Sequence, residues 1–367
     1  MRTFQCTCGQ PLFFDNLGCL ACGAAVAYDP TTQLLGAVVA AGDGTWWVAG
    51  DRRTPGPRFR CCARRGDAAQ CNWLVPADEP YDNCLSCRLT RTIPILARPR
   101  NARRLLDIES AKRRMLFELQ SWRLPIVPRT PATPAGLVFD LLEPLDGEPP
   151  VLTGHADGVI TLNVAEADDD YRERHRESLA EPYRTVLGHL RHEIGHYYWN
   201  VLVHGTPWLE PFRALFGDER ADYGAALRQH YASGAPPDWP GRCISSYAAM
   251  HPWEDWAECW AHYMHLRSTL QTVASYGLDT SHVVLRVTPY GTDVLHPAAS
   301  PAAGLRFLEW INAWVVLTAV LNETARSMGQ PDIYPFVMNR AVVTKLHFIQ
   351  CVLDAHDSGQ VTPMPAA

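Results

Sequence analysis

Nine of the twelve cysteines lie before residue 88, and eight of them form two four-cysteine sets. The first is Cys6-x-Cys8, ten residues, then Cys19-x-x-Cys22. The second is Cys62, Cys71 and Cys84-x-x-Cys87; Cys61 adjoins Cys62, and spacing alone favours Cys62. A CxC or CxxC pair on a tight turn aims two sulfurs at one point, and two such turns complete a tetrahedron around zinc. Gly9 and Gly23 follow the second cysteine of their pairs and supply the positive φ such turns need. With no secretion signal in front of them, clustered pairs of this kind read as metal sites and not as disulfides. The N-terminal region therefore cannot be an ordinary oily core: metal binding supplies its folding free energy. Short runs such as Gln33 to Ala40 and Trp46 to Val48 are expected as ribbon strands around the two sites. Cys243, Cys259 and Cys351 are scattered and read as core thiols.

Charge sharpens this reading. Residues 1–123 hold 17 Lys/Arg against 11 Asp/Glu, and the rest of the chain 16 against 28. A basic N-terminal third invites a nucleic-acid or acidic partner. Two four-thiolate zinc sites, each about −2, would cancel most of the excess. The ribbons are thus expected to offer a place for a protein partner, not for nucleic acid. The start MRTFQCTCGQ has no apolar run of signal-peptide type. The apolar stretch Phe307 to Leu321 is interrupted by Glu309 and Asn312 and reads as a short core helix, not a membrane span. A cytoplasmic protein with no membrane partner is expected.

Asn101 to Trp122 carries Leu105, Ile108, Met115, Leu116 and Leu119 at helical spacing and reads as a linker helix. The proline-rich LPIVPRTPATPAG, residues 124–136, then breaks the helix and marks a boundary. The expected domains are 1–97, a zinc-ribbon region with two four-cysteine sites; 98–135, the linker; and 136–367. In the last, Leu137 to Leu142 and Val159 to Val164 read as strands, the second entered through a His155-Ala156-Asp157-Gly158 turn. Mostly helical sequence follows from residue 178.

Chemistry concentrates in GHLRHEIGHYYWNVL, residues 188–202. Ser178-x-x-Glu181 with Pro182 reads as a helix start and Gly205 as its stop. On such a helix His192 and His196 project from one face, one turn apart, and reach one ion. Glu193 flanks that face, placed to handle a proton without being a ligand. The extended HExxHxxGxxH form is absent, because Trp199 and Leu202 replace its glycine and third histidine. A downstream carboxylate must complete the set. Glu219 in GDERAD is one candidate. The other is the helix started by Pro252, where Glu254 and Glu258 lie one turn apart.

These segments carry a resemblance. CTCGQPLFFDNLGCLACG (6–23), CNWLVPAD (71–78), LRHEIGHYYW (190–199), FGDERADY (216–223) and HPWEDWAE (251–258) resemble a bacterial family of zinc-binding metallopeptidases with an N-terminal zinc-ribbon domain. A narrower resemblance is to glutamate zincins of the anthrax lethal factor type. These pair HExxH with E-x-x-A-E and place a tyrosine seven residues before the first glutamate. Glu254 to Glu258 and Tyr247 match. The resemblance implies Glu254 as third ligand in place of Glu219, and Tyr247 as donor to the reacting carbonyl. Glu258, with His189 or His262, is expected to orient the ligands from behind. The expected fold is α+β: a β-rich zinc-ribbon region, then a mainly helical zincin-like domain with a small sheet. The expected activity is hydrolysis of peptide or isopeptide bonds in a peptide or protein substrate, with one catalytic and two structural zinc ions. Val159 to Val164 would be the edge strand along which substrate adds. The competing reading is a ribbon-borne scaffold with no catalysis.

Overall fold

In a computed structural model, which describes residues 2–49, 56–145, 147–178 and 181–359, each cysteine pair of the first set closes a tight turn. Gly9 and Gly23 take φ of 89° and 73°, and their amides donate to Cys6 O and Cys19 O. Two units result, one of residues 1–177 with 185–190, the other of 178–184 with 191–367.

In the first unit, β1 (Phe4–Gln5) pairs with β2 (Pro11–Leu12). A five-stranded antiparallel sheet follows in chain order: β3 (Val26–Asp29), β4 (Leu34–Ala40), β5 (Trp46–Ala49), β6 (Phe59–Cys61) and β7 (Leu74–Pro76). A single helical turn, α1 (Leu85–Arg88), carries Cys87 and leads to β8 (Thr90–Thr92). Then comes α2 (Asn101–Ser121). Expected as a linker, it is a core element. Leu105, Ile108, Met115, Leu116, Phe117 and Leu119 are fully buried. Phe117 meets Phe14 at 5.0 Å, Tyr28 at 5.7 Å and Phe4 at 6.3 Å, and Tyr28 in turn meets Trp73 at 4.7 Å. The five-stranded sheet has a small apolar cluster of its own, Ala27, Phe59 and Leu74, and α2 adds the larger aromatic one.

The second sheet of this unit has the order β10-β11-β9-β8, from β9 (Val138–Leu142), β10 (Gly154–Ala156) and β11 (Val159–Asn163). Asp157 and Gly158, both at positive φ, make the two-residue turn between β10 and β11. The expected edge strand is corrected here. β11 has β9 parallel on one side along its length and β10 antiparallel on the other over Val159 to Thr161, so that stretch of its backbone is engaged on both sides.

After α3 (Asp169–Ser178) comes α4 (Val186–Leu202). The expected start at Ser178 is also corrected. Glu181 pairs with Arg184 at 2.8 Å, and the helix begins after Thr185, whose hydroxyl accepts the Gly188 amide at 2.9 Å. The side chain of Ser178 lies outside the described residues. Gly205 takes φ of 69° just past the helix end.

The second unit adds α5 (Leu209–Phe216), α6 (Tyr223–Ser233), α7 (Pro252–Ser275), α8 (Pro301–Ser327) and α9 (Arg340–Asp357). α7 is its axis. Trp256, Trp260, Tyr263 and Met264 are buried, with Phe348 of α9 at 6.2 Å from Trp256 and Gln350 accepting the Tyr263 hydroxyl at 2.6 Å. Asp255 pairs inside the unit with Lys345 of α9 at 2.5 Å. α8 is longer than the sequence suggested. Among the described residues it is the helix long and apolar enough, by length and composition, to cross a membrane. It buries one stripe, Phe307, Leu308, Ile311, Trp314 and Leu317, and Asn312 bonds Tyr290 N at 2.8 Å.

Candidate active site

Helical period places His192 and His196 on one face of α4. Close packing places Glu254 of α7 opposite them. Gly195 makes that approach feasible: a Cβ there would lie 3.1 Å from Ala257 Cα and 3.1 Å from Trp260 Cβ. Trp256 Nε1 donates to Gly195 O at 2.9 Å and locks the crossing. Pro252 and the His251 ring start α7, the His251 Nδ1 accepting the Trp253 amide at 3.1 Å, so Glu254 sits in the first turn.

Three side chains converge. His192 Nε2 lies 2.9 Å from Glu254 Oε2 and 3.3 Å from His196 Nε2, and His196 Nε2 lies 3.5 Å from Glu254 Oε1. Around a tetrahedral zinc with ligand bonds near 2.0–2.1 Å, donor atoms stand about 3.3 Å apart. Two imidazoles and a carboxylate are also the chemistry of an open zinc site. The residues fit the ion.

Behind the cage, Glu258 Oε1 holds His192 Nδ1 at 2.8 Å, which leaves Nε2 turned toward Glu254. Ser245 Oγ donates to Glu258 Oε2 at 2.6 Å and accepts the Ala248 amide at 3.1 Å. Such carboxylate–histidine pairs fix ring orientation and raise ligand basicity. Burial opposes charge on His192 and Glu254 but is outweighed: hydrogen bonds from Glu254 and Glu258 raise His192 well above the ordinary imidazole range, and the His196 charge, with the His192 hydrogen bond, lowers Glu254 well below the carboxylate range. Burial also opposes the charge on Glu258, and the His192 hydrogen bond holds that carboxyl down at about 2. Both carboxylates stay ionised at neutral pH.

Glu219, the other candidate ligand, is engaged elsewhere. Arg213 grips both its oxygens, at 2.9 and 2.5 Å. Glu193 is 6% exposed and immediately follows His192. Tyr247 lies with its ring 6.0 Å from that of His192. Burial first, then the Glu254 charge, holds the Tyr247 phenol far above its usual range, so it is a neutral donor. His189 does not stand behind the cage ligands: its Nε2 is 3.3 Å from Glu166. His262 bonds the Tyr334 hydroxyl at 2.8 Å.

Sequence reasoning missed two residues. Ser245, two before Tyr247, supports Glu258. Tyr223, the last residue of FGDERADY, donates its hydroxyl to Glu254 Oε1 at 2.9 Å. Their motif segments were visible, but no spacing rule gives a tyrosine 31 residues before a glutamate a role.

The cysteine sets converge as well. Cys6 and Cys22 sulfurs are 3.7 Å apart, Cys8 and Cys19 3.6 Å, and Cys71 and Cys84 3.6 Å. Sulfurs around a tetrahedral zinc stand about 3.8 Å apart. Cys62, and not Cys61, joins Cys71, Cys84 and Cys87. Its sulfur accepts the Cys84 amide at 3.4 Å.

Comparison with known families agrees with this geometry. A family model described as "Putative zinc-binding metallo-peptidase" matches residues 101–352. The chain belongs to that family. A zinc-ribbon domain model matches residues 3–98 of this metallopeptidase-family chain. Uncharacterized proteins of Mycobacterium bovis and of two Mycobacterium tuberculosis strains are each 42% identical to it over 356 residues, covering 96% of this chain and 96% of theirs. No solved structure matches. The family and the two cysteine clusters together make this a zinc-binding protein of peptidase class.

Proposed function

We propose that the chain hydrolyses peptide or isopeptide bonds at the cage formed by His192, His196 and Glu254. The observation that carries this reading is the convergence of two Nε2 atoms and one carboxylate at 2.9 to 3.5 Å, with Glu193 adjoining and Glu219 committed to Arg213. A bound zinc supplies Lewis acidity toward a substrate carbonyl and lowers the pKa of a water in its open position.

The chain's own residues do the rest. Glu193 takes the proton of the attacking water and delivers it to the departing amine. Glu258 keeps His192 oriented through Nδ1, so that its basicity and direction are fixed before substrate arrives. Tyr247 donates to the oxygen that gains charge as the carbonyl is attacked. The two cysteine sets are structural zinc sites of the ribbon segment, where a protein partner would dock. Peptides and proteins are the substrate class.

Glu193→Gln in the full-length protein tests the reading. The amide keeps the side chain's shape and leaves all three ligands, so zinc content should hold. Hydrolysis of a peptide library, followed by mass spectrometry, should fall by about a hundred- to ten-thousand-fold. A variant that cleaves as fast as the parent sinks Glu193 as the base, and a parent that cleaves nothing while zinc-loaded favours the scaffold reading.

A further inference from the structure

Tyr223 stands where it does because a short loop is pinned at both ends. Arg213, in the last turn of α5, holds Glu219 with two hydrogen bonds. His251 Nε2 donates to Ala221 O at 3.1 Å while its Nδ1 caps α7. The same histidine therefore fixes the loop entering α6 and the helix carrying Glu254. Asp222 accepts the Ala225 amide at 2.9 Å and starts α6, so Tyr223 is the first residue of that helix. Its ring packs edge-on against His251 at 5.3 Å, and its hydroxyl reaches Glu254 Oε1 at 2.9 Å.

The two oxygens of Glu254 thus have different neighbours. Oε2 is the one 2.9 Å from His192 Nε2; Oε1 lies farther from the imidazoles, 3.5 Å from His196 Nε2, and carries the Tyr223 hydrogen bond at 2.9 Å. A carboxylate left to itself can give zinc one oxygen or both, and a second oxygen would fill the position a water needs. Buried at 2% exposure, Glu254 has no solvent to occupy its spare oxygen.

We propose that Tyr223 is a positioning residue whose hydroxyl reserves Glu254 Oε1, restricting Glu254 to ligation through Oε2 and keeping the fourth coordination position open. The inference rests on the cage being the zinc site. It gives the GDERADY segment a single purpose. Glu219 anchors the loop, Asp222 starts the helix, and Tyr223 is delivered to the ligand.

The test uses the full chain and reads the metal site itself. Tyr223→Phe removes one hydroxyl, and far-UV circular dichroism and the thermal midpoint of the same samples check that the fold is kept. Zinc release from the cage to a chromophoric chelator is measured, with the cysteine-held zinc as internal reference. Loss of a partner to a ligand typically weakens metal binding roughly 10- to 100-fold. We expect a change of that size at the cage and none at the cysteine sites. Cobalt exchanged into the cage, with zinc kept in the cysteine sites, should lose visible absorption intensity as coordination rises from four to five. If Glu254→Ala loses cage metal while Tyr223→Phe releases zinc and colours cobalt as the parent does, Tyr223 has no such role and the cage reading stands. If Glu254→Ala keeps its cage metal, the cage reading falls, and this inference with it.

Discussion

At the scale of single residues, Tyr247 poses the sharpest question. Its ring lies beside His192, and burial keeps its phenol neutral. A tyrosine that merely packs would tolerate phenylalanine. One that donates to a developing oxyanion would not. Tyr247→Phe should therefore lower kcat by roughly ten- to a thousand-fold with KM little changed, while zinc content and thermal midpoint hold. An unaltered kcat on a cleaved peptide would leave Tyr247 a packing residue. The convergence of the histidine pair was legible in the sequence because a four-residue spacing on a helix puts both rings on one face. The choice between Glu254 and Glu219 was open on spacing, because it turns on Arg213, which no motif names. Tyr223 was not legible for the same reason: its place is set by a tethered loop, not by periodicity.

At the scale of elements, the crossing of α4 and α7 decides whether the ligands meet at all. His192 and His196 ride on one helix, Glu254 on the other, and Gly195 lies between. A valine at 195 opposes two effects. Replacing glycine inside a helix gains a few tenths of a kcal/mol in propensity. Forcing a branched side chain into space already at 3.1 Å costs about 1–3 kcal/mol or more. Overpacking wins. Gly195→Val should lower the urea midpoint, and zinc retention at the cage should fall further than stability does, since separating the helices separates the ligands. Unchanged midpoint and unchanged retention would show that the crossing is looser than described. Two elements were misread from sequence for physical reasons. Glu181 and Pro182 look like a helix start, but Glu181 is taken by Arg184 and Thr185 does the capping. β11 alternates like any half-buried strand, and alternation cannot say whether neighbours lie on one side or two.

At the scale of the whole molecule, three convergent donor sets predict metal stoichiometry. Protein purified without chelator should contain about three zinc per chain if each set takes one ion. Cys19→Ser with Cys22→Ser should lower the count by one and destabilise the ribbon region, leaving the cage metal in place. A count of one or none would remove the ribbon assignment. The α+β class and the order of its parts were readable from cysteine spacing and helical periodicity. What could not be read was that α2 belongs with the cysteine-rich strands. Helical spacing announces an apolar face and is silent about what will cover it.

Phe117 bears on ancestry. It lies in the stretch matched by the metallopeptidase family, yet its neighbours Phe4, Phe14 and Tyr28 lie in the stretch matched by the zinc ribbon. The seam between the two inherited pieces, near residue 100, runs through the middle of one aromatic cluster. A ribbon exchanged for a foreign one would have to bring three rings that fit around Phe117, or the helix beneath it would lose its cover. The cysteine-rich segment and α2 are accordingly one packing unit, and a ribbon that lacks the three rings should leave α2 less stable.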